Sequence, residues 1–196
     1  MHHNIKKVAV IGTGTMGTQI SIQAAAHGND VSVFDQDPQI FNKNAQRLLD
    51  SMALPKIRPI LSSQKWVEAT RMVKQCLTLR EALQDADLVI EACPEDVELK
   101  RKVFSLIDSS APSHAILATN SSSIPISKIE GATGRPEKCL NLHFYQMVLG
   151  MNIVDVMGGA KTTSEVFEKG SNWVRSIGCI PLGVRKEVLG FCFNSI

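Results

Sequence analysis

Two polar residues, His143 and Asp155, each interrupt an apolar run in the stretch CLNLHFYQMVLGMNIVDVMG, which begins at Cys139. An imidazole exchanges protons near neutral pH, and a carboxylate behind it fixes its tautomer and stabilises the imidazolium that forms. Eleven residues separate the two. This odd number allows them to face each other across a hairpin, with Cβ atoms about 5 Å apart. The pair is a candidate general base with its orienting carboxylate. The alternative is a strand-end histidine and a carboxylate that caps an amide or faces water.

A glycine-rich turn near the N-terminus offers a site for phosphates. In VAVIGTGTMGTQI, Gly12, Gly14 and Gly17 have the spacing G-x-G-x-x-G. The first permits a tight turn, the second a close approach of a diphosphate, and the third close packing of helix on strand. The amides that open the helix, at Thr15 and Met16, would face the phosphates. The triplet alone is a weak signal, because a glycine-rich turn can also bind nothing.

An acidic residue follows this turn at the distance typical of dinucleotide-binding domains. Asp35 ends the apolar run VSVF about twenty residues after the glycines, where a carboxylate binds both ribose hydroxyls. A carboxylate there repels a 2′-phosphate, and no arginine follows it directly. We therefore predict NAD as the cofactor, in preference to NADP.

Strand-like and helix-like segments alternate along the chain. This pattern predicts an α/β fold of the Rossmann type, a doubly wound and mostly parallel sheet covered by helices on both faces. The predicted strands are 7–11, 30–34, 76–79, 87–91, 115–118, 139–143, 152–156 and 179–182. The predicted helices are 16–27, 38–49, 59–73, a short helix between strands 76–79 and 87–91, 97–107 and 164–176. Residues 38–73 form a helical excursion after the second strand. Because ligands collect at the carboxyl ends of parallel strands, residues 91–100, residues 119–123 and His143 should share one crevice.

Composition excludes several classes of protein. The chain has 196 residues, 44% of them hydrophobic, which suits one α/β domain with a core. Its 21 basic and 19 acidic residues give a net charge of +2, which argues against a nucleic-acid surface. We find no apolar run long enough for a bilayer and no secretory signal pattern, so we expect a cytoplasmic protein without a membrane partner. The five cysteines lack zinc spacing, so we expect reduced buried thiols and no metal.

The motifs together resemble one known family. Gly12-x-Gly14-x-x-Gly17, Asp35, EACPE, TNSSS, the His143 segment and GFCFNS occur in the order and spacing of the L-3-hydroxyacyl-CoA dehydrogenases, including the 3-hydroxybutyryl-CoA dehydrogenases. The resemblance covers essentially the whole chain. It implies that residues 1–187 are an NAD-binding domain and that residues 188–196 open a C-terminal helical domain whose remainder is absent. It further implies a homodimer in the full-length form, and a place in fatty acid metabolism.

The resemblance assigns roles to four side chains around the substrate. His143 matches the catalytic base, and Asp155 stands where the family has a glutamate paired with that histidine. Ser122 matches a serine near the substrate oxygen, and Asn194 matches an asparagine that helps to hold it. From the residues alone, the serines before Ile124-Pro125 are equally good caps for a short helix, so Ser122 could serve the substrate while Ser123 caps.

The resemblance also implies that Glu95 and Lys100 contact the cofactor. In the family, the helical excursion reaches toward the nucleotide end of CoA, whose phosphates a basic cluster would suit. An ordinary solvated face is the alternative. The basic residues concerned are Lys43, Arg47, Lys56, Arg58 and Lys65.

Two departures from the family pattern bear on the substrate. The family usually reads His-Phe-Phe-Asn-Pro where this chain has HFYQM, residues 143–147, and Asp155 is one methylene shorter than glutamate. The expected reaction is the interconversion of a 3-hydroxyacyl and a 3-ketoacyl group, either free or linked to CoA. Relatives acting on free β-hydroxy acids, sugar acids or β-dicarbonyls also vary at residues 143–147, so the branch of the β-diketone reductases and of L-gulonate dehydrogenase with lambda-crystallin is a second reading. The shorter Asp155 is expected to lengthen the hydrogen bond to the imidazole. A third is a dinucleotide-binding module without catalysis.

Overall fold

A computed structural model describes residues 5–184 of the chain, in which eight strands and six α-helices occur. The strands are β1 (Lys7–Ile11), β2 (Asp30–Phe34), β3 (Lys74–Gln75), β4 (Leu88–Glu91), β5 (Ile116–Thr119), β6 (Cys139–Phe144), β7 (Ile153–Gly158) and β8 (Ile180–Val184). The helices are α1 (Thr15–Ala26), α2 (Ile40–Met52), α3 (Ser63–Met72), α4 (Leu79–Leu83), α5 (Val97–Ser110) and α6 (Ser164–Ser176).

All strands form one sheet, in the order β3-β2-β1-β4-β5-β6-β7-β8. Each neighbouring pair is parallel except β6 and β7, which form an antiparallel hairpin. Apolar residues of β1 alternate between two buried clusters, with Val8 and Val10 on one face and Ala9 and Ile11 on the other. The sheet is thus covered on both sides, which confirms the predicted Rossmann-type fold.

The helical excursion between β2 and β3 also agrees with the prediction. Its two helices bury one apolar face each, and the indole N–H of Trp66 in α3 donates to the carbonyl of Ala45 in α2 at 3.1 Å. Ser62 caps the start of α3 by accepting from the amide of Lys65, a common role for serine at a helix N-terminus. That cap explains why α3 begins later than the predicted residue 59.

One predicted strand, 76–79, was wrong. The strand next to β2 is the two-residue β3, and it precedes the predicted segment. The amide of Cys76 still donates to the carbonyl of Val33, but Thr78 then caps α4 by accepting from the amide of Glu81. The capping bond of Thr78 therefore starts the helix at Leu79, within the segment that was expected to be a strand.

The predicted domain boundary after residue 187, the helical segment 188–196 and Asn194 lie outside the described residues. Within 5–184, no helix is both long and apolar enough to cross a membrane.

Candidate active site

The turn between β1 and α1 has the backbone geometry that its three glycines permit. Gly12 has a φ of +92°, and a Cβ at this position would lie 2.8 Å from the carbonyl oxygen of Ala92. A Cβ on Gly17 would lie 1.9 Å from the carbonyl oxygen of Gly12. Gly14, at the N-cap of α1, has open space where its Cβ would point. The turn therefore leaves room above Gly14 for a diphosphate, at the positive end of α1.

Asp35 follows β2 beside this turn. Its Oδ2 accepts from the amide of Thr13 at 2.6 Å and from the hydroxyl of Thr13 at 3.1 Å, and its Oδ1 accepts from the amide of Asp37 at 3.2 Å. These bonds fix a carboxylate at the rim of a cavity of about 590 Å³. The cavity is lined by Ile11, Gly12, Gly14, Phe34, Asp35, Gln36, Ile40, Leu79, Ala92, Cys93, Pro94, Leu99, Val103 and Leu106. Apolar walls, an acidic rim and an open glycine fit the adenosine half of NAD.

Thr15 and Met16 open α1. The hydroxyl of Thr15 accepts from the guanidinium of Arg47 in α2 at 2.7 Å, which places a basic side chain of the excursion beside the phosphate-binding turn. Met16 packs against the core cluster and accepts through sulfur from Gln19. The side chain of Met16 therefore packs, which leaves its backbone amide for a phosphate. The neighbouring Arg58 donates to backbone carbonyls of its own loop, at Pro55 and Ile57.

A buried ion pair lies beneath the cleft. Lys100 in α5 is 1% exposed, and its ammonium donates to Glu91 Oε1 at 2.8 Å and to the carbonyl of Cys93 at 3.0 Å. A third contact, at 3.4 Å, reaches Glu95 Oε2. Glu91, 0% exposed, accepts further from the amide of Cys93 and the hydroxyl of Thr119. Because an ammonium has three donors, these contacts account for all of them, so the structure places Lys100 behind Glu95 and not at the cleft surface.

Glu95 organises the serine-rich turn after β5. Its Oε1 accepts from the hydroxyl of Ser121 at 2.5 Å, and from the amides of Ser122 and Ser123 at 3.0 and 2.9 Å. Burial opposes the charged form, but these hydrogen bonds, together with the nearby ammonium of Lys100, outweigh it and lower the pKa of Glu95 to about 2. The expected capping by Ser123 was wrong: its hydroxyl donates to Glu95 Oε1 at 2.8 Å, and the short 3-10 helix that begins at Ile126 has no side-chain cap.

His143 and Asp155 are directly opposed across the β6–β7 hairpin. His143 Nδ1 lies 3.1 Å from Asp155 Oδ2, and the side chains are 10% and 0% exposed. The hydroxyl of Tyr145 donates to the same carboxylate oxygen at 2.7 Å. The structure thus brings together the two residues whose spacing allowed the contact, and it adds a third.

Two asparagines tie this hairpin to the serine turn. Asn120 Oδ1 accepts from the amide of Phe144 at 2.9 Å, and the side-chain amide of Asn141 donates to the carbonyl of Ser121 at 3.3 Å. Both bonds cross from the end of β5 to β6. They hold Ser122, whose hydroxyl is 3.4 Å from Glu95 Oε1, on the same edge of the sheet as His143.

Sequence reasoning assigned no individual role to four residues of this site, although each left a signal. Glu91 and Asn120 lie in the ranges expected to share the crevice, and Glu91 is a charged residue inside an apolar strand, a position that demands a partner. Thr13 stands between the first two glycines. Tyr145 belongs to the departure HFYQM, but its contact with Asp155 could not be predicted, because it depends on how the hairpin connection returns.

The cysteines behave as buried thiols. Cys76, Cys139 and Cys179 are free and buried, as expected; Cys93 is free but only half-buried, and Cys192 lies outside the described residues. Burial, and next the charge of Glu91, raise the pKa of Cys93 to about 12, which makes it an unreactive wall of the cleft. No group of three or more potential metal ligands occurs between residues 5 and 184.

A parallel sheet with a glycine-rich turn before the first helix, an acid after the second strand and a histidine–carboxylate pair on the same edge defines a dinucleotide-binding domain of an oxidoreductase. The family model of the 3-hydroxyacyl-CoA dehydrogenase NAD-binding domain matches residues 7–188. The chain belongs to this family, and its cofactor is NAD.

Individual relatives support the assignment. The chain is 36% identical to a 3-hydroxybutyryl-CoA dehydrogenase of Clostridioides difficile, over 97% of this chain and 67% of that protein. It is 32% identical to the mitochondrial hydroxyacyl-coenzyme A dehydrogenase of Rattus norvegicus, over 98% of this chain and 62% of that protein. A solved diketoreductase that acts on dicarbonyl compounds superposes with a TM-score of 0.89 at 35% identity, over 98% of this chain and 69% of that one. The chain thus spans roughly two thirds of these relatives' length.

Proposed function

We propose that this chain is the NAD-binding part of an oxidoreductase that interconverts 3-hydroxyacyl and 3-ketoacyl groups. The observation that carries the proposal is the pairing of His143 with Asp155 at 3.1 Å, on the sheet edge where the dinucleotide turn and the serine turn also lie. Oxidation of a secondary alcohol requires a base for the hydroxyl proton, and a neutral imidazole backed by a carboxylate is suited to this role.

The mechanism assigns one task to each part of the site. NAD supplies the hydride acceptor when bound. Nδ1 of His143 faces Asp155, so Nε2 is the nitrogen that we assign to removal of the substrate's hydroxyl proton. Asp155 stabilises the imidazolium that results, and Ser122 and Asn194 are assigned as donors to the substrate oxygen.

For cofactor binding, we assign the diphosphate to the backbone at Gly12, Gly14, Thr15, Met16 and Gly17. The ribose hydroxyls of the adenosine half go to Asp35, whose carboxylate is already fixed by Thr13. Glu95 reaches the cleft surface, and Lys100 acts through it, because the ammonium of Lys100 is buried.

Replacing Asp155 by asparagine tests the pairing. We expect Asp155→Asn to lower turnover by about a hundredfold or more, since an amide neither favours the imidazolium nor fixes the tautomer. NADH affinity should stay within about twofold, because the dinucleotide turn is separate. The measurement is steady-state NADH oxidation with acetoacetyl-CoA in the catalytically competent protein, with NADH binding followed by fluorescence. Unchanged turnover would reject the pair as catalytic.

A second substrate class is favoured by one comparison. The similar diketoreductase acts on dicarbonyl compounds, and HFYQM replaces the family's usual sequence at the end of β6. We therefore propose free β-keto acids or β-dicarbonyls as alternative substrates. Comparing acetoacetyl-CoA with free acetoacetate, and adding free CoA as a competitor, separates the two classes. Turnover of free acetoacetate alone, without inhibition by CoA, would remove CoA from the function.

The remaining proposals concern the whole protein. Homodimerisation and a place in fatty acid metabolism are supported only by the family resemblance, and a cytoplasmic location is supported only by the sequence pattern. Light scattering of the complete protein tests the first, and imaging of a tagged protein in its own cells tests the second. Loss of growth on fatty acids after deletion would support the third.

A further inference from the structure

Tyr145 is hydrogen-bonded to the carboxylate of the proposed catalytic pair. We propose that Tyr145 is a positioning residue: its phenol withdraws negative charge from Asp155 and so keeps the His143 imidazole unprotonated, as a base must be, near neutral pH. The inference deepens the proposed function and rests on it, because only the proposed function makes His143 a catalytic base. The hydrogen-bonded triad itself can be tested without catalysis.

The geometry concentrates two donors on one oxygen. Asp155 Oδ2 accepts from Tyr145 at 2.7 Å and lies 3.1 Å from His143 Nδ1. The other oxygen, Oδ1, is buried and has no hydrogen-bond partner within residues 5–184. Tyr145 also packs on the imidazole, with ring centroids 4.6 Å apart and planes tilted by 55°. The phenol therefore contacts both members of the pair.

The direction of the effect follows from the charge. A buried carboxylate with few donors draws a proton onto a neighbouring imidazole, because the ion pair compensates its desolvation. Each additional donor to the carboxylate weakens that pull. With Oδ1 lacking a described partner, the phenol is the main competitor of His143 for the charge of Asp155, so its removal should make His143 more basic.

The charged groups of the surrounding elements lie away from the pair or have other partners. Residues 126–128 contact β6, but Lys128 is exposed and the buried Glu130 lies against Gly159, beyond the end of β7. Strands β5 to β8, helix α1 and the connection 145–152 carry no charged side chain besides His143 and Asp155. The charges of α6, on Glu165, Glu168, Lys169 and Arg175, belong to the helix that packs on the opposite face, against Val154 and Val156. In α2, which contacts the connection, Arg47 binds Thr15 and Lys43 lies near Asp37, while Asp50 accepts from Gln46. Arg58 packs its backbone on Gly150 and turns its guanidinium to Pro55 and Ile57. Glu91, Glu95 and Lys100 bond among themselves and to the serine turn.

The first test follows the protonation of His143 by NMR in Tyr145→Phe, a change that keeps the ring and removes only the hydroxyl. We expect the midpoint of the His143 titration to rise by about one pH unit, in keeping with the loss of one hydrogen bond to a charged acceptor. His143→Gln identifies the resonance. Leu149→Ala, an exposed substitution on the same connection, is the matched control and should leave the midpoint unchanged.

The second test uses the fact that Tyr145 is the single tyrosine of the chain. Its ionisation can be followed alone by tyrosinate absorbance. In Asp155→Asn the phenol loses an anionic acceptor, so Tyr145 should ionise at a pH lower by about one unit than in the parent. The first shift measures the effect of the phenol on the imidazole, and the second measures the hydrogen bond of the phenol to the carboxylate, so the proposal requires both. The second variant keeps that hydrogen bond testable if Tyr145→Phe does not fold.

Activity provides the third readout. In the competent protein, Tyr145→Phe should displace the pH profiles of alcohol oxidation and of ketone reduction to higher pH by the same amount. A purely structural role would lower both rates without moving either profile. Unmoved titrations of His143 and Tyr145 would overturn the proposal. Shifted titrations without any turnover on the substrate panel would uphold the triad and count against the proposed function alone.

Discussion

Replacing Lys100 by methionine removes the only cation within residues 5–184 that forms an ion pair with Glu91, a side chain with no exposed surface. The two side chains are 1% and 0% exposed, and the ammonium lies 2.8 Å from the carboxylate. Methionine fills a similar volume, so the change removes charge with little loss of packing. The perturbation therefore isolates the cost of leaving a buried carboxylate without its counter-ion.

The magnitude follows from what Glu91 keeps. Removing one partner of a buried ion pair typically costs about 3–5 kcal/mol of folding free energy. Glu91 retains the amide of Cys93 and the hydroxyl of Thr119, both at 2.6 Å, so we expect a loss near the lower end, about 3 kcal/mol. With a slope of about 2 kcal/mol per molar urea, the unfolding midpoint should fall by about 1.5 M.

Urea unfolding of four proteins measures the pair itself. The parent, Lys100→Met, Glu91→Gln and the double variant form a double-mutant cycle. We expect the double variant to be more stable than the sum of the single losses predicts, by about 2 kcal/mol, because no buried charge is left unpaired.

The same variant separates two roles for Lys100. If the ammonium contacts NAD directly, as the family resemblance implies, Lys100→Met should weaken NADH binding by tenfold or more while stability hardly changes. We expect instead the large loss of stability, with NADH affinity reduced only through the loosened Glu95. A loss of stability below about 1 kcal/mol would refute the buried-pair reasoning.

Three further predictions concern the glycine-rich turn, the cofactor preference and the serine turn. Gly17→Ala places a Cβ 1.9 Å from the carbonyl oxygen of Gly12, so it should lower the free energy of unfolding in urea by about 1–3 kcal/mol and weaken NADH binding. Gly14→Ala, with open space around its Cβ, should lose NADH binding but keep the free energy of unfolding of the parent. Equal free energies of unfolding for the two variants would contradict the packing argument. Asp35→Ser should narrow the preference for NADH over NADPH by about tenfold in a binding assay, since it removes a like charge from the 2′-phosphate; an unchanged ratio would remove that role. Hydrogen bonds lower the pKa of Glu95 from 4.5 to about 2. The stabilisation of the fold by the charged Glu95 is therefore full above pH 4.5 and is lost as the pH falls toward 2. Urea midpoints of Glu95→Gln should fall less steeply over that interval than those of the parent, and parallel curves would contradict the hydrogen bonding of the serine turn.

The elements and the dinucleotide turn could be predicted because their determinants are local. The G-x-G-x-x-G turn, the strand before it and Asp35 after β2 lie within one short stretch, and each has a fixed backbone role. The alternation of strands and helices then predicted the parallel sheet. The odd number of residues between His143 and Asp155 allowed the two to face each other across a hairpin. The strand expected at 76–79 failed, since the capping bond of Thr78 is specific to one side chain and outweighs a propensity.

By itself, the sequence determined the fold class, the cofactor site and the candidate base, since periodicity, glycine spacing and strand-end chemistry are properties of neighbouring residues. Only the tertiary structure decided that Lys100 lies buried on Glu91, that the hydroxyls of Ser121 and Ser123 donate to Glu95, and that Tyr145 shares Asp155 with the histidine. These outcomes depend on which side chains meet across elements far apart in the chain. A buried charge or hydroxyl takes whichever partner packing brings within about 3 Å, and no spacing along the chain specifies that partner.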